Sequence, residues 1–192
     1  MRVIVTGAVG FVGKWLVDEL LYQKDEIVII VRDIQYVPEN WKNKLHIIEM
    51  SLQDLDKLEE SYFPWEEADI FFHLSWDGTS GEHRADISLQ LENIINTCNA
   101  VELAEKLKCK RFVNAGSIME YEAMQYIPLE YAKPGEKYIY STAKLAADFI
   151  AKIMTVNKYM EYINVVISNI YGPGERSERF INSTIRKMLK NE

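Results

Sequence analysis

Cysteine is scarce in this sequence of 192 residues, which holds only Cys98 and Cys109. Two cysteines are too few for the disulfide framework of a small secreted protein, and free thiols are typical of a reducing cytoplasm. Long apolar runs are also lacking, since no stretch approaches the roughly 18 residues that a membrane-spanning helix needs. The first residues form a short apolar segment without the layout of a signal peptide. We therefore expect a cytoplasmic protein that has no membrane partner.

Positive charge is in deficit, with 22 lysine and arginine residues against 29 aspartate and glutamate residues. A net charge of −7 argues against a nucleic-acid partner, because binding to phosphate backbones relies on an excess of basic side chains. The three histidines, His46, His73 and His83, show no metal-ligand spacing with one another or with cysteine. The sequence therefore predicts neither a nucleic-acid interface nor a metal site.

Apolar, β-branched segments alternate along the chain with segments of helical periodicity. The predicted strands are 3–5, 27–31, 45–48, 68–74, 112–115 and 162–170. The predicted helices are 11–22, 54–60, 87–107, 140–156 and 177–190, and the predicted loops are 36–44, 76–82, 120–137 and 172–178. Because strands that alternate with helices form βαβ crossovers, we expect an α/β fold with a doubly wound parallel sheet.

Three glycines stand between the first strand and the first helix, in the segment Thr6-Gly7-Ala8-Val9-Gly10-Phe11-Val12-Gly13. Gly7 permits a tight turn, Gly10 lets a pyrophosphate approach the backbone, and Gly13 lets the helix lie close to the strand. The helix N-terminus then offers free N–H donors to the phosphates. Since the strand and the helix are both in place, this spacing predicts a dinucleotide site that includes Phe11 and Val12.

The residue that ends the second strand usually meets the adenosine ribose and separates NAD from NADP. Arg32 lies 19 residues and Asp33 lies 20 residues beyond Gly13, so the spacing does not distinguish them. An aspartate would accept a hydrogen bond from the ribose 2′-hydroxyl of NAD, whereas an arginine would pair with the 2′-phosphate of NADP. NADP or NAD is expected as the cofactor, with NADP slightly favoured.

Tyr140 and Lys144 are four residues apart at the start of a predicted helix, so their side chains share one helix face. A nearby ammonium group stabilises a phenolate, which makes Tyr140 a candidate acid/base near neutral pH.

With these motifs, the sequence resembles the extended short-chain dehydrogenase/reductase family, and within it the NAD-dependent epimerase/dehydratase branch that acts on nucleotide sugars. Four further segments carry the resemblance: His73-Leu74-Ser75, Asn93-Ile94-Ile95-Asn96-Thr97, Ala115-Gly116-Ser117 followed by Tyr121, and Asn169-Ile170-Tyr171-Gly172-Pro173. They follow one another in the order found in the family, and the resemblance extends over essentially the whole chain.

This resemblance implies a Rossmann-type fold and a catalytic set of Tyr140 as general acid/base, Lys144 as its partner at the nicotinamide ribose, and Ser117 as a hydrogen-bond donor to the reacting oxygen. The cofactor carries the hydride. The residues implied at the cofactor are Gly7, Gly10, Phe11, Val12, Gly13, Arg32, Asp33, Leu74, Ser75, Asn93, Tyr140 and Lys144. Those implied at the nucleotide-sugar substrate are Ser117, Tyr121 and Asn169.

Some positions depart from the family pattern. The Asp-Glu pair that sugar 4,6-dehydratases carry after the catalytic residue corresponds to Ile118 and Met119. A dehydratase is therefore not expected, whereas a 4-epimerase and a 4-keto reductase both stay open. The usual aspartate after the third strand is replaced by Ser51, so adenine binding is expected to differ.

The resemblance also implies two domains and a dimer. We expect residues 1–176 to form the NAD(P)-binding domain and residues 177–192 to begin a C-terminal substrate-binding part that is largely missing, in a chain that is either truncated or naturally short. These 192 residues should bind cofactor with little turnover. Helices 87–107 and 140–156 would form a homodimer interface. Two readings compete with an enzyme: a regulatory module that binds a dinucleotide without catalysis, and an inactive cofactor-binding fragment.

Overall fold

The computed structural model of the protein describes residues 1–126, 133, 135–156, 158–175 and 180–190. The strands are β1 (Arg2–Thr6), β2 (Glu26–Val31), β3 (His46–Glu49), β4 (Ile70–His73), β5 (Arg111–Ser117) and β6 (Glu161–Ile167). The helices are α1 (Phe11–Tyr22), α2 (Ile87–Lys106), α3 (Met119–Tyr126), α4 (Tyr138–Thr155) and α5 (Phe180–Lys190), with short 3-10 turns between strands. Within these residues the elements build one sheet with helices on both faces.

The strands follow the order β3-β2-β1-β4-β5-β6, and every neighbouring pair is parallel. The predicted doubly wound parallel sheet is thereby confirmed. The order reverses between β1 and β4, where Thr6 is in register with His73. In open α/β sheets, ligands bind in the crevice at such a switch point, beyond the carboxyl ends of the strands. The topology therefore locates a binding crevice after Thr6 and His73.

The core lies on both faces of the sheet, because alternate side chains of a strand point to opposite sides. On one face, Ile4, Phe71 and Phe112 pack beneath α2. On the other, Val5 and Val17 belong to a second cluster beneath α1. Burial on both faces explains the continuous apolar runs of β1 and β2, as expected for a parallel sheet. Among the described residues, no helix combines the length and the apolar character needed to cross a membrane.

Three sequence predictions of secondary structure were wrong. The segment 54–60, predicted as a helix, contains a 3-10 turn over Leu52–Lys57, in which the eclipsed i,i+3 positions place Asp54 and Lys57 in an ion pair of 2.5 Å. In the predicted loop 120–137, residues 120–126 belong to α3, whose first backbone N–H donates to the Ser117 hydroxyl at 3.2 Å, and residues 127–132 and 134 lie outside the described residues. Finally, β6 ends at Ile167 rather than at residue 170.

The predicted last helix is confirmed from Phe180 onward, whereas its expected start at residue 177 lies outside the described residues. The expected domain boundary between residues 176 and 177 also lies outside them.

The glycine turn depends on close backbone contacts between β1 and α1. Gly7 has a φ of +72°, a left-handed conformation that glycine adopts without strain. A Cβ atom on Gly13 would lie 2.1 Å from the Gly7 carbonyl oxygen and 2.7 Å from that of Ala8. No side chain can move aside there, because both obstacles are backbone atoms. Gly13 therefore sets the distance between α1 and the turn, as its spacing in the sequence predicts.

We expect Gly13→Ala to lower the free energy of unfolding by about 2–3 kcal/mol, since the added methyl group must push α1 away from the turn. Urea denaturation followed by circular dichroism would measure the loss. Gly135→Ala is the matched control, because a Cβ atom there meets nothing within 4 Å. Equal stability of the two variants would contradict the role given to Gly13.

Candidate functional site

A cleft of about 1080 Å³ opens at the carboxyl edge of the sheet, where the strand order reverses. Its walls come from the glycine turn, the loop after β4, the end of β5, the start of α4 and the segment after β6. The residues of the sequence-predicted site that line it are Gly7, Gly10, Phe11, Val12, Gly13, Leu74, Ser117, Tyr140, Lys144 and Asn169. The structure therefore brings together the glycine turn and the proposed catalytic residues, which lie more than 100 positions apart in the sequence.

Five residues of the predicted site are not among those that line the cleft: Arg32, Asp33, Ser75, Asn93 and Tyr121. Arg32 follows β2 and forms an exposed ion pair with Asp77 at 3.2 Å. The Asp33 carboxylate accepts a hydrogen bond from the backbone N–H of Gln35 at 2.8 Å and caps a 3-10 turn. Both residues lie just beyond the carboxyl end of β2, where an adenosine ribose is expected.

The other three differ in their surroundings. The Ser75 backbone nitrogen packs against Gly7, where a Cβ atom would approach it to 2.7 Å. Tyr121 is about half exposed on α3. Asn93 is buried in α2, and its amide group donates to the Asp77 carbonyl at 2.9 Å and accepts from the Asp77 N–H at 3.0 Å. In this structure Asn93 therefore holds the loop after β4 in place.

Gln90, which the sequence analysis missed, holds the same loop. Its side chain is fully buried, and its amide nitrogen donates to the carbonyls of Gly78 at 3.1 Å and His83 at 3.0 Å. Its oxygen accepts from the indole N–H of Trp76 at 2.9 Å. A buried amide with several partners fixes a loop more firmly than a surface contact does. Together, Gln90 and Asn93 fix the wall of the cleft that carries Trp76.

The N-terminus of α1 is free to accept an anion. Gly10 precedes the helix and offers no side chain to cap it, and the first turn contains no acidic residue. A Cβ atom on Gly10 would meet only the Gly7 carbonyl oxygen, at 3.1 Å, so the space beyond it belongs to the cleft. Unpaired N–H groups and the helix dipole favour a phosphate at this place. These features fit the pyrophosphate of a dinucleotide cofactor.

Lys144 is buried deep in the cleft wall. Its ammonium group donates to the Ala115 carbonyl at 2.9 Å and lies 3.7 Å from the centre of the Trp76 ring. Burial lowers the pKa of Lys144 to about 7, although the charge of Glu120 opposes that shift. A lysine in this state exchanges its proton near neutral pH, which is unusual for an amine and typical of functional sites.

Tyr140 has aromatic and cationic neighbours within the cleft. The Trp76 ring meets it edge-on, with 6.2 Å between the ring centres. The guanidinium carbon of Arg84 lies 4.6 Å from the centre of the Tyr140 ring, within the range of a cation–π interaction. The sequence analysis missed Arg84, because it lies in the short 3-10 helix Gly81–Ala85 and no spacing links it to Tyr140.

Ser117 ends β5 at the cleft. Its backbone N–H donates to the Glu120 carboxylate at 2.6 Å, and its hydroxyl oxygen accepts from the Met119 N–H at 3.2 Å. These contacts fix the turn from β5 into α3 and present the Ser117 side chain to the cleft. Glu120 is a further residue of the site region that the sequence analysis missed.

His73 is buried between two threonine hydroxyls, at 2.9 Å from Thr6 and 3.3 Å from Thr97. Burial and the neighbouring Lys144 charge lower the pKa of His73 to about 3, so its ring is neutral. The Thr97 hydroxyl donates to the Asn93 carbonyl, and it therefore accepts from the His73 Nε2–H. Among the described residues, no three His, Cys, Asp or Glu side chains gather to hold a metal ion.

The sequence profile of the NAD dependent epimerase/dehydratase family matches residues 3–192. The chain therefore belongs to this family, and the resemblance inferred from its motifs is confirmed.

Individual relatives are distant in sequence. UDP-glucuronic acid decarboxylase 1 of Arabidopsis thaliana is 25% identical over 97% of this chain and 45% of its own length. CDP-abequose synthase of Salmonella typhimurium is 25% identical over 99% of this chain and 60% of its own. A solved structure of MoeE5 in complex with UDP-glucose and NAD matches all of this chain and 62% of its own, with a TM-score of 0.77 and 25% identity. The chain thus spans about half to two thirds of the length of these relatives.

Because Lys144 is buried, we expect the free energy of unfolding to depend on pH. The pKa of Lys144 is lowered in the folded state, so between about pH 7 and pH 10.5 the unfolded chain binds more protons, and the free energy of unfolding rises with pH. Replacing Lys144 by methionine removes that penalty. We expect Lys144→Met to be more stable than the wild type by roughly 2–4 kcal/mol near pH 6, with a smaller gain near pH 9.

Urea denaturation at the two pH values would measure this gain. Lys152→Met is the matched control, because Lys152 is exposed on the same helix and should change stability little at either pH. A Lys144→Met variant that is destabilised equally at both pH values would contradict the burial penalty.

Proposed function

We propose that this member of the NAD dependent epimerase/dehydratase family is an enzyme of nucleotide-sugar metabolism. Its reaction would be that of a 4-epimerase or of a 4-keto reductase. The observation that carries the proposal is the shared cleft: the glycine turn, Tyr140, Lys144 and Ser117 all line it. The relatives support the choice of substrate, since their names contain UDP-glucuronic acid and CDP-abequose, and MoeE5 binds UDP-glucose with NAD.

The residues of the cleft suit the cofactor in two places. The open N-terminus of α1 would hold the pyrophosphate, and Lys144, which lines the same cleft, would donate to the nicotinamide ribose. Bound there, the cofactor supplies the hydride acceptor or donor. We assign residues 1–176 to this cofactor-binding part and the residues from 177 onward to a part that binds substrate. Cys98 and Cys109 are both free thiols, which supports the proposal of a cytoplasmic protein.

In the proposed reaction, Tyr140 takes the proton from the substrate hydroxyl when the carbon is oxidised and returns it when the ketone is reduced. Lys144 stabilises the negative charge on Tyr140, and Ser117 donates a hydrogen bond to the reacting oxygen. Trp76 and Gln90 support this arrangement, because they fix the cleft wall against which Tyr140 and Lys144 pack. Asn169 also lines the cleft and would contact the substrate.

Removing the Tyr140 hydroxyl tests this mechanism. We expect Tyr140→Phe in the whole protein to lower the kcat for a UDP- or CDP-sugar by about 100-fold or more, because a general acid/base is lost, with the Kd for NAD nearly unchanged. Tyr138→Phe, two residues earlier on the same helix, is the control. Its hydroxyl bonds to that of Tyr126 at 2.8 Å, so its loss should leave kcat close to that of the wild type. Equal kcat values for the two variants would refute the catalytic role of Tyr140.

The choice between NADP and NAD depends on Arg32 and Asp33 at the end of β2. The Arg32 side chain is about three quarters exposed and its only ion pair among the described residues is with Asp77, so its guanidinium group can turn to a 2′-phosphate. If it does, Arg32→Ala should weaken NADP binding by roughly 1.5–3 kcal/mol and leave NAD nearly unchanged. Titration calorimetry with both cofactors on both proteins decides. Equal losses, or none, would assign the ribose contact to Asp33 and favour NAD.

The proposed homodimer would use the outer faces of α2 and α4, which pack side by side. Large apolar side chains are exposed on these faces, each by at least 38%: Ile87, Leu91, Ile95, Phe149, Ile150 and Ile153. A contiguous apolar patch on two parallel or antiparallel helices is typical of a helix-bundle interface.

Charges in this patch should separate the subunits. We expect the double variant Ile95→Glu/Ile153→Glu to sediment as a monomer at concentrations where the wild type is a dimer, because two carboxylates per subunit would be buried unpaired. Tyr22→Glu, which changes an exposed aromatic residue on α1, is the matched control and should stay dimeric. A wild-type chain that sediments as a monomer would refute the dimer.

A further inference from the structure

Glu120 carries a carboxyl group that neither the glycine turn nor the Tyr140 chemistry requires. It lies in the first turn of α3 and is only 3% exposed. One carboxylate oxygen accepts from the Ser117 N–H at 2.6 Å, and the other accepts from the side-chain amide of Asn164 at 2.9 Å. A buried carboxylate is costly unless hydrogen bonds satisfy both oxygens, and here each oxygen has a partner. These two hydrogen bonds fix the Glu120 side chain next to Ser117, the last residue of β5.

The network continues into the sheet. The Asn164 oxygen accepts from the Asn114 side chain at 3.0 Å, so one polar chain links α3, β6 and β5. Gly116 leaves room for it, because a Cβ atom there would lie 2.5 Å from the Asn164 side chain. A chain of buried amide groups that ends on a carboxylate is well ordered, since each member has one geometry that satisfies its neighbours.

Several charged or titratable groups face Glu120. From α4 come Lys144, whose charge stabilises the Glu120 carboxylate, and Asp148, whose charge opposes it. From β6 comes Tyr162, whose hydroxyl donates to Asp148 at 2.7 Å. Burial is the largest influence and raises the pKa of Glu120 above its usual range. Lys144 is therefore the one positive charge among the groups that act on Glu120 from these elements.

We propose that Glu120 is a positioning residue of the candidate active site: its carboxylate holds the Ser117 backbone at the cleft and supplies a buried negative charge at the same end of β5 as the Lys144 ammonium group. Lys144 bonds to the Ala115 carbonyl and Glu120 to the Ser117 N–H, two residues apart at the end of β5, and the helices that carry them pack against each other. The Ala115 carbonyl and the Trp76 ring are uncharged partners, so Glu120 is the negative charge that favours the ammonium form of Lys144. Glu120 thus connects the Ser117 side of the site with the Lys144 side. The catalytic meaning of this link rests on the proposed function, whereas the link itself can be measured without turnover.

The first test measures the protonation of Lys144 by NMR in protein labelled at the lysine Cε carbon, with the signal assigned from its loss in Lys144→Met. In Glu120→Gln, we expect the titration midpoint of Lys144 to fall by about one pH unit, because a nearby opposite charge is removed. Glu122→Gln, two residues later in α3, is the matched control and should leave the midpoint close to that of the wild type. An unchanged midpoint in Glu120→Gln would overturn the proposal.

The second test needs no variant, so it holds even if Glu120→Gln fails to fold. In the wild type, the Ser117 amide proton resonance should move downfield as Glu120 ionises, with a midpoint above the usual glutamate pKa of about 4.3. A Ser117 amide resonance that stays constant from roughly pH 3 to pH 9 would overturn the proposal. Neither test uses cofactor or substrate, so an absence of NAD binding or turnover would count against the proposed function and leave this inference intact.

Discussion

The burial of one ammonium group is the constraint around which the candidate site is arranged. Lys144 lies among groups that cannot replace its hydration fully: a single carbonyl at 2.9 Å and the face of an indole ring. Because burying a charge costs free energy, the groups that contact the Lys144 ammonium group have to be held in place by other interactions. The fully buried Gln90 holds Trp76, and Ala115 is held by the ladder between β5 and β6.

This arrangement explains why the helix that carries no predicted catalytic residue contains so many buried polar side chains. In α2, Gln90, Asn93 and Thr97 are buried at positions where apolar residues would pack more simply. Each of them bonds to the loop after β4 or to His73 at the end of that strand. A helix can supply these contacts because residues three or four apart lie on one face. These hydrogen bonds offset the free-energy cost of burying the three side chains, and they hold the wall against which Tyr140 and Lys144 pack.

The sequence predicts those parts of the site that depend on local backbone geometry. Gly7 and Gly13 could be recognised because their conformation and close contacts follow from one turn, and Tyr140 and Lys144 because four residues make about one helical turn. Arg84, Gln90 and Glu120 could not be recognised, since their roles arise from contacts with other elements. Likewise, α3 could not be recognised as a helix, because its start is fixed by two hydrogen bonds with Ser117 and it packs against α4, and neither feature gives a periodic apolar pattern in the sequence.

The residues that line the cleft differ in how deeply they are buried. Tyr140, Lys144 and Ser117 are each at least 91% buried and lie on elements that share the core of the sheet. By contrast, Phe180, which also lines the cleft, is largely exposed, and α5 has no buried residue among those the structure describes. A reacting group must be held within a fraction of an ångström of its productive position. The packing is therefore concentrated where the proposed proton transfer needs it.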